Sequence, residues 1–116
     1  MESESVDTEI NYYLGIQADV LFNQFELSRW NINVDDVCEI ILAIANFQES
    51  YGENLERIIN MSSISQALGA LPNKDLYKKY FECKKISKLG GLGLQANTFS
   101  RELIRHANQV NLIRNK

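Results

Sequence analysis

The stretch "VCEIILAIANF", residues 37–47, decides the fold of this chain. Valine and isoleucine fill four of its eleven positions, a composition that suits a buried strand. Eleven residues outlast the usual buried strand of about 4–8, however, and neither glycine nor proline interrupts them. The stretch therefore predicts a helix packed on several sides. Just upstream, Asn33 suits the cap, because its short side chain can accept an early backbone N–H. Asp35 and Asp36 follow in the first turn, where carboxylates complement the helix dipole. The longest apolar run, Ile40 to Ala45, is far shorter than the roughly 20 residues that cross a bilayer, so no membrane partner is expected.

Toward the N-terminus, Ile10, Leu14, Leu21 and Phe25 recur at near-helical spacing, with Gln17 inside the same stripe. They predict a first helix over about residues 7–27, capped by Asp7 or Thr8 and ended by "SRWNIN". Residues 1–6 are expected to be flexible. Their Met-Glu-Ser-Glu-Ser start is acidic where a signal peptide is basic and then apolar, which points to a cytoplasmic protein. Downstream, "YGEN" marks a break, and "LERIIN" with "SISQAL" predicts one helix or two short ones closed by Gly69. Pro72 and Asn73 open a further helix that Gly90 and Gly91 stop. Asn97 or Thr98 caps a last helix running to about residue 113. No stretch alternates with period two. The fold class is all-α, a compact single-domain bundle of about five helices over residues 1–116.

Composition sets the class and charge sets the question. A hydrophobic fraction of 45% and a single proline belong to a folded globular chain rather than a disordered one. Net charge is only −3, but its distribution is uneven. Residues 1–57 hold twelve acids against Arg29 and Arg57, a net −10. Residues 58–116 hold ten bases against Asp75, Glu82 and Glu102, a net +7. Such a split marks a surface built to meet phosphate, a chain that docks head to tail with its own copies, or two halves that neutralise each other. Cys38 and Cys83, with one histidine, are too few for a disulfide framework or a structural zinc site. Both thiols are expected to be free and buried, with no metal and no cofactor.

The chemistry-bearing residues gather in the latter half. At about 100° per residue, Leu76, Tyr80, Cys83 and Ser87 share a core face of the fourth helix. Lys74, Lys78, Lys85 and Lys88 lie almost opposite, with Phe81 among them and Tyr77 at the edge. Lysines supply charge against phosphate, and an exposed ring offers a face for a base. The alternative is a solvated lysine face whose Phe81 is covered by a neighbour. The following loop, "KLGGLGLQAN", fits neither the dinucleotide nor the Walker A pattern, and its glycines are more simply a helix stop. Arg101 falls in the first turn of the expected last helix, a place the dipole disfavours unless an anion sits there. Backbone amides, Arg101 and Arg105 together would hold one phosphate.

Within that helix, "RELIRH" fits Arg-x4-His and resembles the motif of HEPN-type ribonucleases, which are small helical bundles. The resemblance implies that Arg101 binds an anion and His106 acts on the ribose 2′-hydroxyl, across a dimer and without metal. It covers six residues, and Glu102 departs from the neutral residue or aspartate more common there. Helical geometry puts His106 beside Phe99, Leu103, Ala107 and Val110, about 140° from Arg101. That neighbourhood belongs to a hydrogen-bonded core histidine. A helix-turn-helix, with "SSISQALG" preceding the lysine-rich helix, is disfavoured by the long connection "GALPN".

The sequence thus favours a nucleic-acid-binding accessory protein without catalysis, a small subunit of a larger nucleoprotein assembly that grips DNA or RNA phosphates with its basic half. Helical subunits lining the nucleic-acid channel of CRISPR effector complexes are similar in size, class and charge layout, a similarity that no motif carries. The acidic half would meet a protein partner or another copy. The alternative is a protein-interaction module, an immunity, inhibitor or adaptor protein acting through that acidic half. The ribonuclease comes third.

Overall fold

Residues 37–47 are helical. The computed structural model describes residues 2–30, 32–50, 75, 78 and 93–115, and the side chains of 5–28, 32–50, 75, 78 and 98–115. Three long helices organise them: α1 (Glu2–Gln24), α2 (Val34–Glu49) and α3 (Gly93–Arg114). A 3₁₀ turn, Leu27–Trp30, links α1 to α2. No strand occurs among the described residues. The expected helices over 55–69 lie outside them. Of the expected fourth helix, Asp75 and Lys78 are described, and both are helical and exposed.

Asn33 and Asp36 start α2 together. Asn33 Oδ1 accepts from the Asp36 amide at 2.9 Å, and Asp36 Oδ2 accepts from the Asn33 amide at 3.0 Å. This capping box satisfies two amides that the first turn would otherwise leave open. Val37, Ile40, Ile41, Ile44 and Ala45 then bury one broad face against both other helices. Each large apolar side chain so buried contributes about 1.5–3 kcal/mol relative to exposure.

Ile10, Leu14, Ala18 and Leu21 form the buried stripe of α1, with Gln17 and Phe25 half-buried at its margin. The helix starts at Glu2, five residues before the expected cap. Glu2 and Glu4 then stand at its N-terminus, where their charge favours helix. Glu26 ends the segment with φ 50°, a left-handed conformation that costs a side-chain-bearing residue about 1 kcal/mol. That reversal turns the chain into the 3₁₀ turn and seats Leu27 and Ile32 in the core.

Helix α3 closes the core with Phe99, Leu103, Ile104, Ala107, Val110 and Ile113. It begins at Gly93, not at Asn97 or Thr98. Leu94, Gln95 and Ala96 are good helix formers, so the helix extends back through them to the glycine. At the far end, Asn111 Nδ2 donates to the Ala45 carbonyl at 2.9 Å, tying α3 to α2. The radius of gyration is 13.9 Å, near the roughly 13 Å expected of a compact chain of this length.

One core position is poorly matched. Gln48 is fully buried at the end of the α2 stripe, and neither atom of its amide has a hydrogen-bond partner among the described residues. A buried amide left so costs about 1–3 kcal/mol. Gln48→Leu, close in volume, is expected to raise stability by about 1 kcal/mol, read as a higher denaturant midpoint at unchanged slope. An equal or lower midpoint would show that the amide has a partner in solution.

Candidate functional site

Three groups of residues carry chemistry, and the helices separate them. The first is the basic set. Lys74, Phe81, Lys85 and Lys88 lie outside the described residues, and Lys78 is exposed. Arg101 is exposed in the third turn of α3, eight residues past its start. That corrects its expected first-turn place: amides this far inside a helix are already bonded to the carbonyls four residues back. Arg105 Nε and Nη2 both donate to Glu102 Oε2, at 3.1 and 2.6 Å. The hydrogen bond and charge of Glu102 hold the Arg105 guanidinium above its ordinary pKa. A phosphate cradle made of helix-start amides, Arg101 and Arg105 therefore does not form. Arg114 is also engaged, donating to Glu49 Oε2 at 2.9 Å across to the acidic half. Lys78 and Arg101 make no ion pair among the described residues.

The second group surrounds His106, which is only 2% exposed among Phe99, Leu103, Ala107 and Val110. Its Nδ1 lies 2.6 Å from the Tyr13 hydroxyl. Tyr13 donates this bond when the imidazole carries its proton on Nε2, which faces Glu102 Oε2 at 3.7 Å. Burial lowers the His106 pKa most, Arg105 lowers it further, and Glu102 acts the other way. Burial likewise raises the Tyr13 pKa. Arg101 points to solvent while His106 is sealed in the core, so the two residues of the Arg-x4-His motif share no surface. Tyr13 was not foreseen; no local pattern links it to a histidine 93 positions away.

The third group was also missed. Tyr12, Ile16 and Val20, 73%, 44% and 50% exposed, fall one helical turn apart along the outer side of α1. Glu9 and Asp19 flank this line on the same side, and a side chain added at Gly15 would meet open space. Asp7, Glu26, Asp35, Glu39 and Glu49 are exposed elsewhere on the same half. Arg29 is the single base in residues 1–50, so this half presents an acidic surface crossed by an apolar line. The signal was present as a second apolar period on α1, interleaved with the core stripe.

Cys38 is half-buried, its thiol 3.6 Å from the Leu14 carbonyl, and burial raises its pKa. The thiol therefore stays protonated near neutral pH, a poor nucleophile. Among the described residues no group of three or more histidines, cysteines or acids is placed to hold a metal ion. Nor is any described helix long and apolar enough to cross a membrane. No family model matches the chain. No curated protein and no solved structure matches it either.

Proposed function

We propose that this chain is a non-catalytic interaction module that docks a protein through the acidic outer face of α1. The observation that carries it is the exposed line of Tyr12, Ile16 and Val20 between Glu9 and Asp19. Apolar residues repeating at every turn make a seam for another helix, and tyrosine is among the residues enriched at interface centres. Carboxylates at the rim select a basic partner and speed its approach. A synthetic amphipathic peptide with a leucine seam flanked by lysines provides the test. It is expected to bind, and Ile16→Glu is expected to weaken binding tenfold or more with unchanged circular dichroism. Equal binding by a scrambled peptide of the same charge would leave only non-specific attraction and sink the proposal.

A second function is supported by Lys78 and Arg101, exposed and without an ion pair among the described residues, in a half of net charge +7. These bases suit phosphate contact in an accessory subunit of a nucleoprotein assembly. Retardation of single- and double-stranded DNA and RNA is expected at low salt, with log affinity falling by about 0.9 per decade of salt for each phosphate neutralised on duplex DNA. No retardation at low salt would remove it. Ribonuclease chemistry is not proposed, because a histidine bonded within the core has no path to a ribose hydroxyl.

A further inference from the structure

We infer that His106 and Glu102 form a proton-operated latch on Arg105: when the imidazole takes up a proton, the Glu102 carboxylate leaves Arg105 for His106 Nε2. This goes beyond both functions proposed above and depends on neither. Three distances carry it. Glu102 Oε2 accepts from Arg105 at 2.6 Å, the same oxygen lies 3.7 Å from His106 Nε2, and His106 Nδ1 lies 2.6 Å from the Tyr13 hydroxyl. One carboxylate oxygen is thus within reach of a guanidinium and an imidazole. Burial decides which of them it serves. The Arg105 side chain is 67% exposed and that of His106 only 2%. An exposed ion pair gains little, because solvent and salt screen both charges. A charge sealed in the core without a partner is far more costly. While the imidazole is neutral the arginine keeps the carboxylate; an imidazolium draws it inward, and Arg105 can turn to water. The other side of the ring tolerates the change. The Tyr13 hydroxyl donates to a neutral Nδ1, and on protonation it can rotate and accept instead, so the link from α1 to α3 is kept. Among the described residues, α1 brings Tyr13 to the ring, with Glu9 one turn away. Helix α2 turns Ile40, Ile41 and Ile44 inward, while its Asp35 and Glu39 are exposed and its Cys38 thiol meets the Leu14 carbonyl. On α3, Glu102 favours the charged ring and Arg105 opposes it. Bringing the first closer and sending the second away both favour the proton, so the exchange reinforces itself. Arg105, released to solvent, then stands one turn from the exposed Arg101.

His106 is the only histidine in the chain, so its ring signals are unambiguous in a nuclear magnetic resonance titration. The full chain is titrated from about pH 8 downward, following the His106 ring carbon and the Arg105 Nε–H together. Relative to a free arginine at the same pH, the Arg105 Nε–H is expected to be protected from exchange with water at neutral pH. It is expected to lose about tenfold or more of that protection with the same midpoint as the ring. Glu102→Gln removes the charge and keeps the size of a side chain that is 26% exposed, so the circular dichroism at neutral pH is expected to be unchanged. In this variant Arg105 is expected to lack protection at every pH. Its ring is expected to titrate lower by about half a pH unit or more, a roughly threefold loss of proton affinity. A wild-type Arg105 signal that ignores the ring titration would overturn the inference, as would a ring midpoint that Glu102→Gln leaves unchanged. So would a chain that unfolds before its histidine titrates, since the latch must operate in the folded state.

Discussion

Leu103→Ala is expected to remove about 3–5 kcal/mol of stability, a large part of the 5–15 kcal/mol typical of a domain. Leu103 is fully buried in the middle of α3, within the apolar cluster that α1, α2 and α3 share. Truncation withdraws three carbons from contact and leaves a void that helices on either side cannot close, because α2 is held to α3 at its end by Asn111 and Arg114. Urea unfolding measures it, as a lower midpoint at unchanged slope. Leu112→Ala is the matched control. Leu112 is 62% exposed on the same helix, so the same truncation is expected to change stability by less than about 0.5 kcal/mol. A Leu103 effect as small as that would mean that α3 does not close the core.

The second large effect centres on His106. His106→Ala leaves a cavity and strands the Tyr13 hydroxyl, together costing about 3 kcal/mol. Tyr13→Phe removes only the donor to Nδ1, at a cost of about 1–3 kcal/mol. Acidity separates this from ordinary packing. The unfolded chain's histidine takes up a proton near pH 6.5, whereas burial holds the folded one below that value. As pH falls through about 6.5 the unfolded state therefore binds a proton that the folded state refuses, and stability declines. It levels off once the folded imidazole is also charged. Above about pH 7 both states hold it neutral and the contribution is flat. The difference in unfolding free energy between wild type and His106→Ala, measured from neutral to mildly acid pH, is expected to narrow on acidification. A difference independent of pH would show that the imidazole is not held neutral by the core.

Much of the helical architecture was legible because it is written locally. Asn33 and Asp36 form their cap within four residues. The apolar periods of α1 and α3 mark which sides of those helices turn inward, and His106 belongs to the inner side by period alone. The candidate site was far less legible. Arg101 lost its place because the start of α3 depends on how far helix propagates back toward the glycines, a balance of tenths of a kcal/mol per residue. Arg105 was read as a free base, but Glu102 one turn away already pairs with it. The bond from Tyr13 to His106 spans 93 positions and exists only after the helices dock. On α1 the exposed line of Tyr12, Ile16 and Val20 is interleaved with the core stripe and went unread beside it.

The tie between Asn111 and Ala45 also bears on how the molecule assembles. Helices α1 and α2 follow one another closely and can meet through local search. The α3 tie must first bring together positions 66 apart, a closure that costs about 3.7 kcal/mol beyond a constant on polymer statistics. That entropy is spent before Leu103 or Val110 buries any surface. Docking of α3 thus carries a larger closure cost than the pairing of α1 with α2, and that cost grows only as the logarithm of the chain length ahead of it.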